Sequence, residues 1–173
     1  LIINIFKTHN LTHQQLKDLI KLTDRAKGPD ISESEHYQKV YGIGIEQPHI
    51  VANGTKLTPL SIKNNSELIE WLVNFTGIDS NSIHSLHLID YPLGSNLNTH
   101  LDSRSSHTFV FILENAHSGG DVIMQDKVYK FNAGTVLEYN GQKVMHGVTE
   151  IEKGFRQTLV MWYGHKSTTK SII

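Results

Sequence analysis

The sequence predicts a mainly β fold with N-terminal helices, an α+β chain whose second half closes as a jelly roll. Three observations carry that prediction. Helical periodicity is confined to residues before Ser82, and from there β-prone runs alternate with turn residues. Those runs number eight, the strand count of a jelly roll. At 173 residues the chain suits one well-buried domain rather than two. Residues 1–173 are therefore read as a single domain, with a strand-and-helix support region over 1–80 and a β core over 81–173.

Taken in order, Leu1–Phe6 is an apolar run of strand length. Leu11–Ala26 is amphipathic: Leu16, Leu19, Ile20 and Leu22 share one face, Thr12 three residues before Gln15 is a start signal, and Gly28-Pro29 is a stop. His9 and His13, four residues apart, lack a third ligand nearby and read as solvated. Gly28–Glu35 is polar and turn-like, and Val40–Glu46 alternates as a strand whose Gly42 and Gly44 admit a close backbone neighbour. Asn64–Phe75 reads as a second helix with Leu68, Ile69, Leu72 and Val73 inward.

The eight expected strands are Ile83–Tyr91, Leu97–Leu101, His107–Leu113, Asp121–Met124, Val128–Phe131, Thr135–Tyr139, Val144–Thr149 and Phe155–Tyr163. In the last, period-two alternation places Arg156, Thr158, Val160 and Trp162 on one face and Phe155, Leu159, Met161 and Tyr163 on the other. Helices before the β core are expected to cover one sheet.

Composition removes several function classes. The 16 basic and 17 acidic residues balance, so nothing marks a nucleic-acid or other polyanion partner. There is no cysteine, hence no disulfide frame, thiolate metal site or cysteine nucleophile, which fits a reducing compartment. Leu1–Phe6 is too short for a signal-peptide core and no run approaches a membrane span, so the expectation is a cytoplasmic protein without a membrane partner.

The chemistry-bearing pattern is His100-Leu101-Asp102, the only His-x-Asp or His-x-Glu in the chain. It is followed 44 residues after the aspartate by His146 and ten further on by Arg156. Side chains at i and i+2 of an extended segment share a face, so His100 and Asp102 can chelate one ion. His146, in the β-prone run after a Gly141 turn, can supply a third ligand or can be a core histidine satisfied by a carbonyl. Two imidazoles and one carboxylate leave adjacent positions open on an octahedral Fe(II). Arg156 on a buried strand needs a partner, since a guanidinium stays charged. A dicarboxylate would supply one, with the Thr158 hydroxyl adding a donor; a structural ion pair with Glu138 or Asp90 is the alternative.

These residues resemble the Fe(II)- and 2-oxoglutarate-dependent oxygenases, most closely the prolyl-hydroxylase-like branch, over Tyr91 to Trp162. The resemblance includes Tyr91-Pro92, the His100 motif, Gly119-Gly120, Gly134, His146-Gly147-Val148 and Arg156 through Trp162. It implies a double-stranded β-helix, cupin-like, with the metal in its mouth. It implies further that His100, Asp102 and His146 ligate Fe(II) and that Arg156, with Thr158, holds the distal carboxylate of 2-oxoglutarate. Tyr91 and Trp162 match pocket positions, though Tyr91 also reads as a core aromatic, and His107 is read as lying behind the ligands or in the substrate pocket. The chain departs from the branch where it offers Phe109, Phe111 and Ile112 in place of a tyrosine on the strand after the metal motif.

The reaction so implied uses O2 and 2-oxoglutarate, with ascorbate as an accessory reductant, and releases succinate and CO2 while hydroxylating an unactivated C–H bond. Asp102 argues against the halogenases, which lack that carboxylate, and Trp162 stands where nucleic-acid demethylases carry a second arginine. The expected prime substrate is a prolyl residue of a peptide or protein, with a free amino acid or small metabolite as the alternative. A non-catalytic cupin-like module binding a metal or small anion is the reading of another class. Asp30–Tyr37 and Ser103–Ser106 are the expected substrate loops.

Overall fold

The computed structural model describes residues 5–41, 52–102 and 107–164. In chain order these form β1 (Phe6–Asn10), α1 (His13–Asp24), α2 (Ile31–Tyr41), β2 (Ala52–Asn53), β3 (Lys56–Pro59), α3 (Ser66–Thr76) and a 3-10 turn (Ser80–Ser82). The β core follows as β4 (Ile83–Tyr91), β5 (Asn96–His100), β6 (His107–Glu114), β7 (Ser118–Gly119), β8 (Val122–Met124), β9 (Lys127–Tyr129), β10 (Thr135–Tyr139), β11 (His146–Val148), β12 (Ile151–Lys153) and β13 (Arg156–Tyr163).

Two antiparallel sheets make the jelly roll. The larger has the order β1-β10-β6-β13-β4-β3 and the smaller β2-β5-β11-β8-β9, with β12 paired to β7 beside them. Side chains of alternating parity on the larger sheet feed two separate clusters. Leu86, Phe109, Phe111, Val136, Leu159 and Met161 join Leu19 of α1 and Leu68, Ile69 and Leu72 of α3 in an outer cluster. Ile89, Val110, Ile112, Leu137 and Val160 join Val122, Met124 and Val148 of the smaller sheet in an inner one. The helices thus cover one face of one sheet, as the sequence predicts, and the alternation read along β13 sends Leu159, Met161 and Tyr163 to the outer cluster and Val160 and Trp162 to the inner one.

Local signals explain the helix ends. Thr12 Oγ1 accepts the Gln15 N–H at 3.0 Å while Gln15 Oε1 accepts the Thr12 N–H at 2.9 Å, a reciprocal cap that starts α1. Gly77, at φ 73°, closes α3 by donating its N–H to Val73 O at 2.8 Å. Asn65 precedes α3 but spends its side chain on tying Lys27 and Ser61 to it.

The structure corrects several boundaries. A strand runs over Phe6–Asn10, beyond the expected Leu1–Phe6, of which residues 1–4 lie outside the described residues; Lys7, Thr8 and Asn10 can stay polar because among the described residues it is an edge strand pairing with β10 alone. The turn expected at Gly28–Glu35 runs into α2, whose first turn is anchored by the Asp30 carboxylate accepting the Glu33 N–H at 2.8 Å. The strand expected at Val40–Glu46 is helical at Val40 and Tyr41, and its remainder lies outside the described residues. Short strands β2, β3, β7 and β12 add to the predicted set. The β7–β12 pair depends on Gly119, at φ 75°, where a Cβ would overlap Glu150 O.

Candidate metal centre

The smaller sheet brings the first two ligands together. His100 ends β5 directly opposite His146 at the start of β11. Asp102 follows β5, its N–H bonded to Gly141 O at 2.8 Å. Ligand atoms of His100, Asp102 and His146 all lie within 4.8 Å of one another. Asp102 Oδ1 stands 3.4 Å from His100 Nε2 and 3.3 Å from His146 Nε2. Each imidazole bonds through Nδ1 to a carbonyl, His100 to Asn98 O at 2.7 Å and His146 to Val144 O at 2.8 Å. A carbonyl only accepts, so Nδ1 carries a proton, and Nε2 faces the shared centre, where it donates to Asp102 when the ring is charged and offers a lone pair when it is neutral.

Electrostatics follow from this packing. Burial works against charge on Asp102, but hydrogen bonds from the two imidazoles outweigh it and hold the carboxyl below the ordinary carboxylate range. Burial likewise works against a charged His100, yet Asp102 draws its pKa upward. The second carboxylate oxygen, Oδ2, receives the Trp162 indole N–H at 3.2 Å and the Thr108 hydroxyl at 3.4 Å. Two imidazole nitrogens and one carboxylate oxygen suit Fe(II) with open positions, and also accept zinc.

Arg156 starts β13 on the same inner face and is 1% exposed. Its Nη1 donates to Asn115 Oδ1 at 3.3 Å and Gly120 O at 3.2 Å, both uncharged acceptors. The alternative ion pairs do not form: Glu138 bonds His9 at 2.9 Å, and Asp90 accepts Gln157 Nε2 at 2.8 Å. Arg156 Nε and Thr158 Oγ1, two residues along the strand, are both buried without a hydrogen-bond partner among the described residues. Burial lowers the guanidinium pKa, opposed by the Tyr91 and Tyr139 hydroxyls and by Asp121. A charged fork with an idle donor, beside an idle hydroxyl, is matched to a carboxylate, and among the described residues none is ion-paired with it.

The other expected residues divide. Tyr91 sits on β4 opposite Arg156, with Arg156 Cζ 5.3 Å from its ring centroid. Trp162 reaches the centre as a hydrogen-bond donor to Asp102. His107, at the start of β6, is exposed and its ring lies 5.1 Å from that of Tyr163, its cross-strand partner, while its neighbour Thr108 points inward. Sequence reasoning missed Thr108, Asn115 and Tyr139, whose ring lies 4.9 Å from that of His146. Parity was the available signal, since Thr108 and Tyr139 are cross-strand partners on the inner face.

No family model and no curated protein matches the chain. Solved structures do. A viral collagen prolyl hydroxylase from Paramecium bursaria Chlorella virus-1, in complex with 2-oxoglutarate, aligns at TM-score 0.64 and 13% identity over 92% of this chain and 95% of that one. The Trichoplax adhaerens prolyl hydroxylase, bound to a hypoxia-inducible-factor peptide, aligns at TM-score 0.66 and 16% identity over 98% and 87%. A Pseudomonas putida prolyl-4-hydroxylase aligns at TM-score 0.57 and 16% identity over 92% and 91%. The fold is that of the prolyl-hydroxylase-like 2-oxoglutarate oxygenases.

Within this oxygenase fold, the departure noted after the metal motif has a structural counterpart. Phe109 and Phe111 turn toward the helices and Ile112 packs inward, so β6 offers the inner face no phenol. Tyr91 from β4 and Tyr139 from β10 place two buried phenols near Arg156, and burial raises the pKa of both. Both therefore remain protonated hydrogen-bond donors.

Proposed function

We propose that this protein is an Fe(II)- and 2-oxoglutarate-dependent dioxygenase that hydroxylates an unactivated C–H bond, with a prolyl residue of a peptide or protein as prime substrate. The observation that carries the proposal is a fully buried Arg156, without an ion-pair partner among the described residues, on the inner face of the larger sheet, with the His100, Asp102 and His146 cluster supplied by the smaller sheet. The donor set fits the group: those three residues would hold the iron, and Arg156 with Thr158 would hold the distal carboxylate of 2-oxoglutarate. Tyr91 would line the same pocket. Bound iron with its keto-acid co-substrate supplies the oxygen activation, and 2-oxoglutarate, O2 and substrate R–H become succinate, CO2 and R–OH.

The chain's own part is placement. His100 and His146 would turn Nε2 toward the metal because their Nδ1 protons are committed to carbonyls. Arg156 is held by Asn115 and Gly120 at one end of the guanidinium, which leaves Nε for the co-substrate. The inner apolar cluster around Val110, Ile112, Leu137 and Val160 limits water at the site. No helix among the described residues is long and apolar enough to cross a membrane.

The test is an anaerobic titration of metal-free protein with Fe(II) and then 2-oxoglutarate, following the visible charge-transfer band of an iron-chelated keto acid. A saturable band that is lost on admitting O2 is the expected result. Iron binding without a band would remove the 2-oxoglutarate role of Arg156 and favour a binding module. Succinate formation stimulated by proline-containing peptides rather than free amino acids would then identify the substrate class.

A further inference from the structure

Asp102 is seated by more than its own strand. We propose that Trp162 and Thr108 are positioning residues that hold the Asp102 carboxylate to presentation through one oxygen, with Gly141 kept bare so that the carboxylate fits. The inference rests on the metal-centre reading above.

Oδ1 faces both imidazoles, at 3.4 and 3.3 Å, while Oδ2 faces away from them into two donors. Those donors arrive from neighbouring strands in direct register, Trp162 of β13 opposite Thr108 of β6, so the sheet ladder itself sets their spacing. The indole is held in turn, its ring edge-on to His87 at 5.1 Å and 81°, and His87 Nδ1 lies 3.4 Å from Ser85 Oγ. Gly141 closes the cradle from the other side. A Cβ there would overlap Asp102 Oδ2 and come within 3.1 Å of Thr108 Oγ1. Its φ is not left-handed, so space around the carboxylate, not backbone conformation, explains the glycine.

A free carboxylate can rotate and can bind a metal through both oxygens. Two hydrogen bonds on Oδ2 fix its plane and occupy that oxygen, leaving Oδ1 as the ligand. Trp162 thereby has a role at the metal in place of the pocket wall expected from sequence. Thr108 takes the position behind the ligands expected of His107.

Co(II) titration of metal-free protein tests this without turnover. Trp162→Phe removes the N–H and keeps a ring, and Thr108→Val removes the hydroxyl at constant shape. Each is expected to weaken Co(II) binding about 10-fold and to alter the visible d–d spectrum, since outer hydrogen bonds to metal ligands are worth roughly that much. Thr108→Ser should restore both readouts, and Gly141→Ala should weaken binding further than either. Wild-type affinity and spectrum in both Trp162→Phe and Thr108→Val would overturn the proposal, with raised peptide KM in Trp162→Phe returning that residue to the substrate pocket. Should one variant fail to fold, the other decides. Absence of Co(II) uptake by the wild type would overturn the metal-centre reading itself and the proposal with it.

Discussion

The two faces of the six-stranded sheet are built from the same strands and differ in what they bury. On the helix side, Phe109, Phe111, Leu159 and Met161 meet Leu19, Leu68 and Leu72, and Trp71 stacks on Phe75 at 5.5 Å. One residue along each strand, the inner side carries Thr108, Tyr91, Arg156, Thr158 and Trp162. The first face is hydrocarbon against hydrocarbon, each large side chain contributing about 1.5–3 kcal/mol. The second buries a guanidinium and a hydroxyl with unused hydrogen-bonding capacity, which destabilises the unliganded fold. Period-two geometry lets one strand serve both ends: the outer face stabilises, so the inner face can stay poised for a ligand.

The sharpest way to break this comparison is on the inner face. Asp102→Ala or His146→Ala should reduce iron- and 2-oxoglutarate-dependent turnover to background while shifting the melting temperature little; retained succinate formation would remove the triad. The converse lies on the outer face. Phe111→Ala should cost about 3–5 kcal/mol in denaturant unfolding and leave the 2-oxoglutarate KM of the remaining folded protein unchanged.

Arg156→Met combines the two readouts. It should raise the 2-oxoglutarate requirement at least ~30-fold, the equivalent of about 2 kcal/mol for a lost buried charge partner. Yet it should leave the metal-free protein as stable as the wild type or more so, because an unpaired buried charge is removed. A large loss of stability would instead mean that Arg156 is part of the scaffold.

The smallest expected effect is a pH dependence. Burial lowers the pKa of His84 to about 4 from an ordinary 6.5, and that of His87 likewise. The unfolded chain takes up these protons first as pH falls, so the associated stability is full above 6.5 and is lost as pH drops through about 4. For His84 this amounts to at most about 3 kcal/mol. His84→Phe should flatten the melting temperature across that window; an unchanged slope would place the titration elsewhere.

Legibility from sequence followed the same division. β4 and β10 were found at their observed bounds, and β13 to within a residue, because they are long, apolar and buried on both faces. The metal triad was legible because two ligands lie two residues apart, and Arg156 because a charge interrupts an apolar run. α2 was missed because ISESEHYQKVY carries no apolar stripe, although Asp30 three residues before Glu33 was an available start signal. β7 and β12 are two and three residues long and exist through pairing with each other, which periodicity does not report. Thr108 and Gly141 carry no motif; their parts follow only from which side chains the ladder sets opposite Asp102 and Trp162.

The strand order has a kinetic consequence. β1 pairs with β10, and His9 meets Glu138 across 129 residues, while Arg156 must reach back to lie opposite Tyr91. Such distant partners make for high contact order and slow closure. On the ribosome, an emerging chain carries His100 and Asp102 well before His146, and the smaller sheet that orients them is complete only once β11 is free. A metal at the proposed site would thus be bound only after β5 and β11 have paired, late in synthesis, rather than serving as a nucleus around which the barrel forms.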